Sequence, residues 1–199
     1  MASVAKRAEH RRATLLALSD AAIEMFETVG PSATVEQIAE RAGVSRRTVF
    51  RYVDSREELA FIHPILWFDA FDAGLAASPA DAPLADRLLL ASQAIADVVD
   101  VDPEPPKRAF LIAAINPELH RGFRAVFQRW VDRVAEEVVA TTSRRGAPDP
   151  FTARIIGAAV MGMVDAVTRE WVVSPPETTY RELCDRGYQT LLPLFQAVD

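Results

Sequence analysis

The chain has 199 residues, half of them hydrophobic and a quarter charged, an ordinary globular balance that can bury a core. Its single cysteine, Cys184, excludes an intramolecular disulfide and fits a reducing cytosol, where it reads as a small buried residue. The net charge of −6 argues against a nucleic-acid partner until it is located: residues 1–60 hold nine basic and nine acidic residues, and residues 61–199 hold 13 and 19.

The charged N-terminus, Lys6-Arg7-Ala8-Glu9-His10-Arg11-Arg12, lacks the apolar core that a signal peptide needs. The longest apolar run, Ile155 to Val164, is too short to span a bilayer, so a cytoplasmic protein without a membrane partner is expected. Residues 8–29 read as a first helix, in which Leu15, Leu18, Ala22 and Met25 or Phe26 recur at helical spacing. Gly30-Pro31 stops it. Lys6, Arg7, Arg11 and Arg12 at its start read either as an arm along phosphates or the minor groove, or as a frayed soluble tail.

Thr34 caps a second, short helix whose apolar positions are Val35, Ile38 and Ala39, with Gln37 at capping-box spacing. Ala42-Gly43-Val44 is a tight turn. Ser45 caps a third helix, Arg46 to about Val53, which Asp54-Ser55 breaks. A fourth helix opens at Arg56-Glu57-Glu58-Leu59 and runs to Ala77. Further helices are predicted over 84–100, 107–115, 117–143, 150–173 and 177–197, separated by proline-bearing loops, with Pro193 kinking or ending the last. No stretch alternates with period two, so the fold class is all-α.

The segment Thr34 to Leu59, TVEQIAERAGVSRRTVFRYVDSREEL, carries the functional signal. Two short capped helices meet at a glycine turn, and Gly43 suits the left-handed backbone such a turn wants. Val49 and Val53, four apart, face inward. Arg46, Arg47, Thr48, Arg51 and Tyr52 then form a convex face of cations, a hydroxyl and an aromatic ring, small enough for a major groove. A solvated basic helix would explain the charges but not the caps and the turn. Charges act over roughly 8 Å at cellular salt, so a local basic face can bind phosphate on an acidic protein.

The order of residues here resembles the helix-turn-helix of TetR-family repressors, closely over about residues 8–60 and only in helix count and length beyond. The resemblance implies an N-terminal three-helix DNA-binding domain (1–55) and a C-terminal helical bundle for dimerisation and ligand binding (56–199), about nine helices in all. It implies a homodimer that ligand binding releases from operator DNA. By position, Thr34 caps the second helix and touches phosphate. Ser45, Arg46, Arg47 and Thr48 open the recognition helix, Phe50 and Tyr52 lie near the DNA backbone, and Arg56 stands where a lysine commonly meets phosphate. Arg51 joins this DNA-binding set. Three residues depart from the pattern: Arg47 replaces a frequent glycine and can add a guanine contact, Phe50 lacks a frequent tyrosine hydroxyl, and Val53 replaces a common phenylalanine.

The 150–173 helix is apolar nearly all round through Gly162, so it must be buried on most sides. Gly157, Gly162 and Ala166 are small enough for another helix to approach closely. With Leu191 and Phe195 of the last helix they predict a two-fold four-helix dimer interface, and hence a palindromic operator of double-stranded DNA. Trp67, Phe68, Phe71, Phe110, Phe127, Trp130 and Met161 are either plain core or the lining for a small apolar or aromatic effector, a role that rests on the resemblance. Asn116, His63 and His120 are candidate polar contacts.

There is no Gly-x-Ser-x-Gly, no phosphate-binding glycine loop and no Cys/His metal spacing, so neither an enzyme nor a cofactor is expected. The competing reading is a helical protein-interaction module without operator binding. Repression is expected over activation, since no additional domain is available to contact a polymerase.

Overall fold

The computed structural model describes residues 2–142 and 149–195; among them are nine α-helices and no strand. The helices are α1 (Ala2–Thr28), α2 (Val35–Arg41), α3 (Arg46–Val49), α4 (Ile62–Ala77), α5 (Leu84–Val101), α6 (Glu104–Ile115), α7 (Pro117–Thr142), α8 (Pro150–Val173) and α9 (Tyr180–Phe195). Short 3-10 helices, Gly30–Ser32 and Glu57–Phe61, follow α1 and precede α4. The all-α expectation holds. α1 begins six residues before the predicted start, since nothing between Ala2 and Ala8 breaks a helix. Gly30 at φ +75° then turns the chain away, a backbone state that side chains resist.

The chain packs as two compact units, Met1–Leu66 with Pro103–Val126 and Trp67–Asp102 with Phe127–Asp199. Two of the three boundaries, after Leu66 and after Val126, fall inside α4 and α7, and the third lies between α5 and α6. Packing explains why the first unit extends past the motif. Phe61 beyond the motif meets Phe110 of α6 at 6.1 Å and Phe123 of α7 at 5.5 Å between ring centroids. Gly122 lets α7 lie directly on Glu57, because a Cβ there would sit 2.5 Å from the Glu57 carbonyl carbon. The core beneath α1, α2 and α3 is Leu15, Leu18, Ile23, Phe26, Ile38 and Val49, all buried.

In the second unit α9 packs on α5 and α8. The start of α9 is set both locally and from far along the chain: Thr179 and Glu182 form a reciprocal capping box, the Glu182 N–H donating to Thr179 Oγ1 at 3.2 Å and the Thr179 N–H to Glu182 Oε2 at 3.1 Å, and the Asp100 carboxylate accepts from the backbone N–H groups of Tyr180 (2.7 Å) and Arg181 (3.2 Å). Together these caps place the helix start at Tyr180, three residues after the predicted one. Gly157 seats α8 against α7, where a Cβ would lie 2.6 Å from the Val131 carbonyl oxygen.

Although the longest unbroken apolar run is short, Glu57–Ala77 and Pro150–Val173 are long and apolar enough, by composition, to cross a membrane. Leu59, Phe61, Ile62, Leu66, Trp67 and Phe71 of the former are buried within the protein. Less than half of the α8 window is buried (44%).

Candidate nucleic-acid interface

The helix-turn-helix is built from local bonds. Thr34 and Gln37 form a reciprocal capping box: the Gln37 N–H donates to Thr34 Oγ1 at 3.2 Å, and the Thr34 N–H donates to Gln37 Oε1 at 2.8 Å. Gly43 takes φ +68°, which lets the Val44 N–H reach the Ala39 carbonyl at 2.9 Å. Ser45 Oγ accepts from the Thr48 N–H at 3.1 Å and lies 2.9 Å from the Thr48 hydroxyl. Only Arg46–Val49 is α-helical, shorter than the predicted run to Val53. Beyond it the N–H groups of Arg51 and Tyr52 bond three residues back, to Thr48 and Val49, which tightens the last turn. Val49 and Val53 point into the core.

The outer face carries Arg46, Arg47, Phe50 and Arg51 exposed, with Thr48 and Tyr52 half-buried. Arg46 pairs with Glu36 of α2 at 2.8 Å and lies 5.5 Å from the Phe50 ring centroid. The Arg51 guanidinium sits 4.7 Å from the Tyr52 ring centroid and donates to its hydroxyl at 2.8 Å. Arg47, Thr48, Phe50 and Arg51 line a shared surface depression. The sequence reading missed Glu36, whose only signal was a carboxylate in the first turn of α2.

Arg56 is placed differently from the phosphate contact that the resemblance implies. Its guanidinium donates to the carbonyls of Pro31 and Ala33 (2.9 Å to the latter) and to Glu57 and Glu118, each at 2.9 Å. It also lies 5.9 Å from the Phe26 ring centroid, and its side chain is 21% exposed. Arg56 therefore ties α1, the loop before α2, and α7 together within the first unit.

Two family models match this arrangement. One, described as bacterial regulatory proteins, tetR family, matches residues 18–61, and the MftR C-terminal domain matches residues 83–196, more than half of the chain. The chain belongs to the TetR family. Three solved structures share the fold of this TetR-family chain. Thermus thermophilus FadR, a TetR-family transcriptional repressor in complex with lauroyl-CoA, is 19% identical, with 89% of this chain and 93% of that one covered at a TM-score of 0.59. FadR from Bacillus subtilis, in complex with stearoyl-CoA, is 16% identical, covering 88% and 96% at 0.57. The fatty acid degradation regulator FadR from Bacillus halodurans is 18% identical, covering 88% and 96% at 0.57. No curated protein sequence matches the chain.

The candidate effector residues of the TetR-family chain are divided between the two units. Phe110 belongs to the first unit, against Phe61 and Phe123. Trp67, Phe68, Phe71, Phe127, Trp130 and Met161 belong to the second. There the Phe68 and Trp130 rings stack with centroids 3.9 Å apart, and Phe71 meets Trp130 edge-on at 5.3 Å. Trp67, Phe71, Trp130 and Met161 are buried, while Phe68 and Phe127 are half-buried. Asn116 is buried and caps α7, its Oδ1 accepting from the Glu118 N–H at 3.0 Å. Among the described residues no group of three or more His, Cys, Asp or Glu side chains is arranged to hold a metal.

Of the residues expected at a dimer interface, Gly157 is internal, since it is buried and lets α7 approach α8. Helical periodicity explains the difference: Gly162 and Ala166 lie on the opposite, exposed face. That face is apolar from Phe151 to Ala166 and is interrupted by the exposed Arg169 before Val173. Phe151, Ile155, Ala158, Gly162, Ala166 and Val173 recur every three, four or seven residues, with Phe151 61%, Ile155 52% and Val173 75% exposed. Leu191 is half-buried, and the Phe195 side chain lies outside the described residues.

Proposed function

We propose that this chain is a dimeric transcriptional repressor that inserts α3 into the major groove of a palindromic operator and releases it when a small apolar effector binds. The carrying observation is the exposed face of Arg46, Arg47, Phe50 and Arg51 on a helix held by local caps. Thr34, Ser45, Thr48 and Tyr52 complete the proposed contact set, and Arg56 acts in it as a positioning residue. Selection of bound sequences from a random duplex pool tests this, with wild type beside an Arg46→Ala/Arg47→Ala variant. Wild type is expected to enrich a palindrome whose binding falls steeply with salt, and the variant to enrich none. Enrichment of nothing at low salt sinks the reading.

The second copy would dock on the exposed apolar face of α8, through Ile155, Gly162 and Ala166. Small residues at its centre permit close helix approach, and two-fold pairing of such a face is self-complementary. Ala166→Glu should convert dimer to monomer in sedimentation; a dimer that persists places the interface elsewhere.

For the effector, the apolar residues of the second unit, Trp67, Phe68, Phe71, Phe127, Trp130 and Met161, support a hydrophobic tail. The two FadR complexes make long-chain acyl-CoA thioesters the first class to test. Release requires the effector to bind the DNA-free shape more tightly, because equal affinity shifts nothing. Lauroyl-CoA titrated against labelled operator should displace the protein; unchanged occupancy at saturation would remove this ligand class.

A further inference from the structure

We propose that Arg47 and Phe50 together set the operator sequence, Arg47 reading a guanine and Phe50 the methyl group of a neighbouring thymine. This deepens the operator reading above and rests on it. The three arginines of the outer face are not equivalent. Arg46 is held by Glu36 and lies near the Phe50 ring, and Arg51 is held on the ring and hydroxyl of Tyr52. Arg47 is exposed, and among the described residues its guanidinium has no ion pair, hydrogen bond or ring contact.

An arginine that reads a guanine must give two parallel N–H groups to O6 and N7 of one base. Arg46 would exchange a weak, exposed carboxylate pairing, and Arg51 its tyrosine, whereas Arg47 has neither to exchange. Arg47 gives up only water. Phe50 is 44% exposed, one of the more exposed large apolar side chains of the first unit. Its ring cannot donate a conventional hydrogen bond to a base edge. The apolar group that the major groove offers is the thymine C5-methyl.

Positions 47 and 50 are three apart on a helical turn, so their Cβ atoms lie on one face, roughly 5–6 Å apart. Base pairs stack about 3.4 Å apart, which brings the two side chains to adjacent or next-adjacent pairs. Both line the same depression, together with Thr48 and Arg51. Guanine and thymine should therefore occur within one or two positions of each other in each half-site.

The test uses the full-length protein and the sequence that wild type selects. Binding is measured for wild type, Arg47→Ala, Phe50→Ala and Arg46→Ala. Each meets the natural duplex, one with 7-deazaguanine for the guanine, and one with deoxyuridine for the thymine. Wild type should lose about tenfold with 7-deazaguanine, which removes the N7 acceptor, and Arg47→Ala should be nearly indifferent to it. Deoxyuridine should weaken wild type and leave Phe50→Ala unchanged, while Arg46→Ala keeps both responses. Unchanged melting of the variants separates these effects from misfolding. A half-site without this guanine and thymine overturns the inference, as does an Arg47→Ala variant that responds to 7-deazaguanine like wild type. Either result with a palindrome in hand spares the operator reading; a wild type that selects nothing removes both.

Discussion

The two units differ in where their best-paired charges lie. In the first unit, Arg41–Glu24, Arg46–Glu36 and Arg108–Glu27 are ion pairs in which every side chain is at least a third exposed. Such pairs contribute about 0–1 kcal/mol each, and water or phosphate can replace either partner. The second unit has exposed pairs too, Arg169–Asp165 and Arg181–Asp97, but it also holds polar groups inside. Arg87 meets Glu137 at 2.7 Å with side chains 10% and 9% exposed. Ser92 and Tyr188 share a hydrogen bond at 2.7 Å, and Thr168 and Tyr180 one at 3.2 Å, all buried. Charge that stays at the rim is available to a partner. Charge that is buried and paired instead fixes how α5, α7, α8 and α9 pack.

The largest test of that contrast is Glu137. Its Oε1 accepts from Arg87 Nε and from the Thr141 hydroxyl, so Glu137→Leu leaves a buried guanidinium unpaired. Denaturant unfolding should show a loss of about 3–5 kcal/mol, whereas the Arg87→Met/Glu137→Leu double variant should recover most of it. Glu24→Ala in the first unit should cost under about 1 kcal/mol. Equal losses at Glu137 and Glu24 would break the comparison.

Gly157 and Gly162 sharpen it within one helix. Gly157→Ala forces α7 and α8 apart and should cost about 1–3 kcal/mol. Gly162→Ala meets nothing within 4 Å and should be neutral or gain up to about 1 kcal/mol within the subunit from helix propensity. Melting compared with sedimentation separates subunit stability from the proposed pairing of α8.

Arg56 is half-buried within the first unit. Lysine is a point charge that cannot serve two carbonyls and two carboxylates at once. Arg56→Lys should cost about 2 kcal/mol in unfolding, in the range of a hydrogen bond to a charged group. The salt slope of DNA binding should stay as in wild type. A slope shallower by about 0.9 would make Arg56 a phosphate contact after all.

What could be read from the residues in order is what depends on near neighbours. Thr34 with Gln37, Gly43, Ser45 and Pro117 each act within four positions, and the bounds of α8, 150–173, follow from prolines and apolar content. What could not be read depends on which elements meet. Asp100 reinforces the local Thr179–Glu182 cap of α9 from 80 positions away, and Arg56 reaches 62 positions to Glu118. Phe110 looked equivalent to Phe127 until α6 was seen to pack on α1. Helical spacing puts Gly157 and Gly162 on different faces, but only the position of α7 says which face is covered.

The smallest expected effect concerns the buried end of α9. Burial pushes the Cys184 thiol up from an ordinary 9.0 to about 12. Burial likewise raises the hydroxyls of Tyr180 and Tyr188. Below about pH 9 the thiol keeps its proton in both folded and unfolded chains, so it contributes no pH dependence. Between about 9 and 12 the unfolded chain releases that proton while the folded chain retains it, and stability falls as pH rises. The melting temperature should therefore decline between pH 8.5 and 10.5, and less steeply in Cys184→Ala. The variant keeps a residual decline above pH 10, because the two tyrosines titrate in the same direction. Parallel curves for wild type and variant would mean that the thiol ionises as readily in the folded chain as in the unfolded one. The polar interior of the second unit would then be wetter than its packing implies.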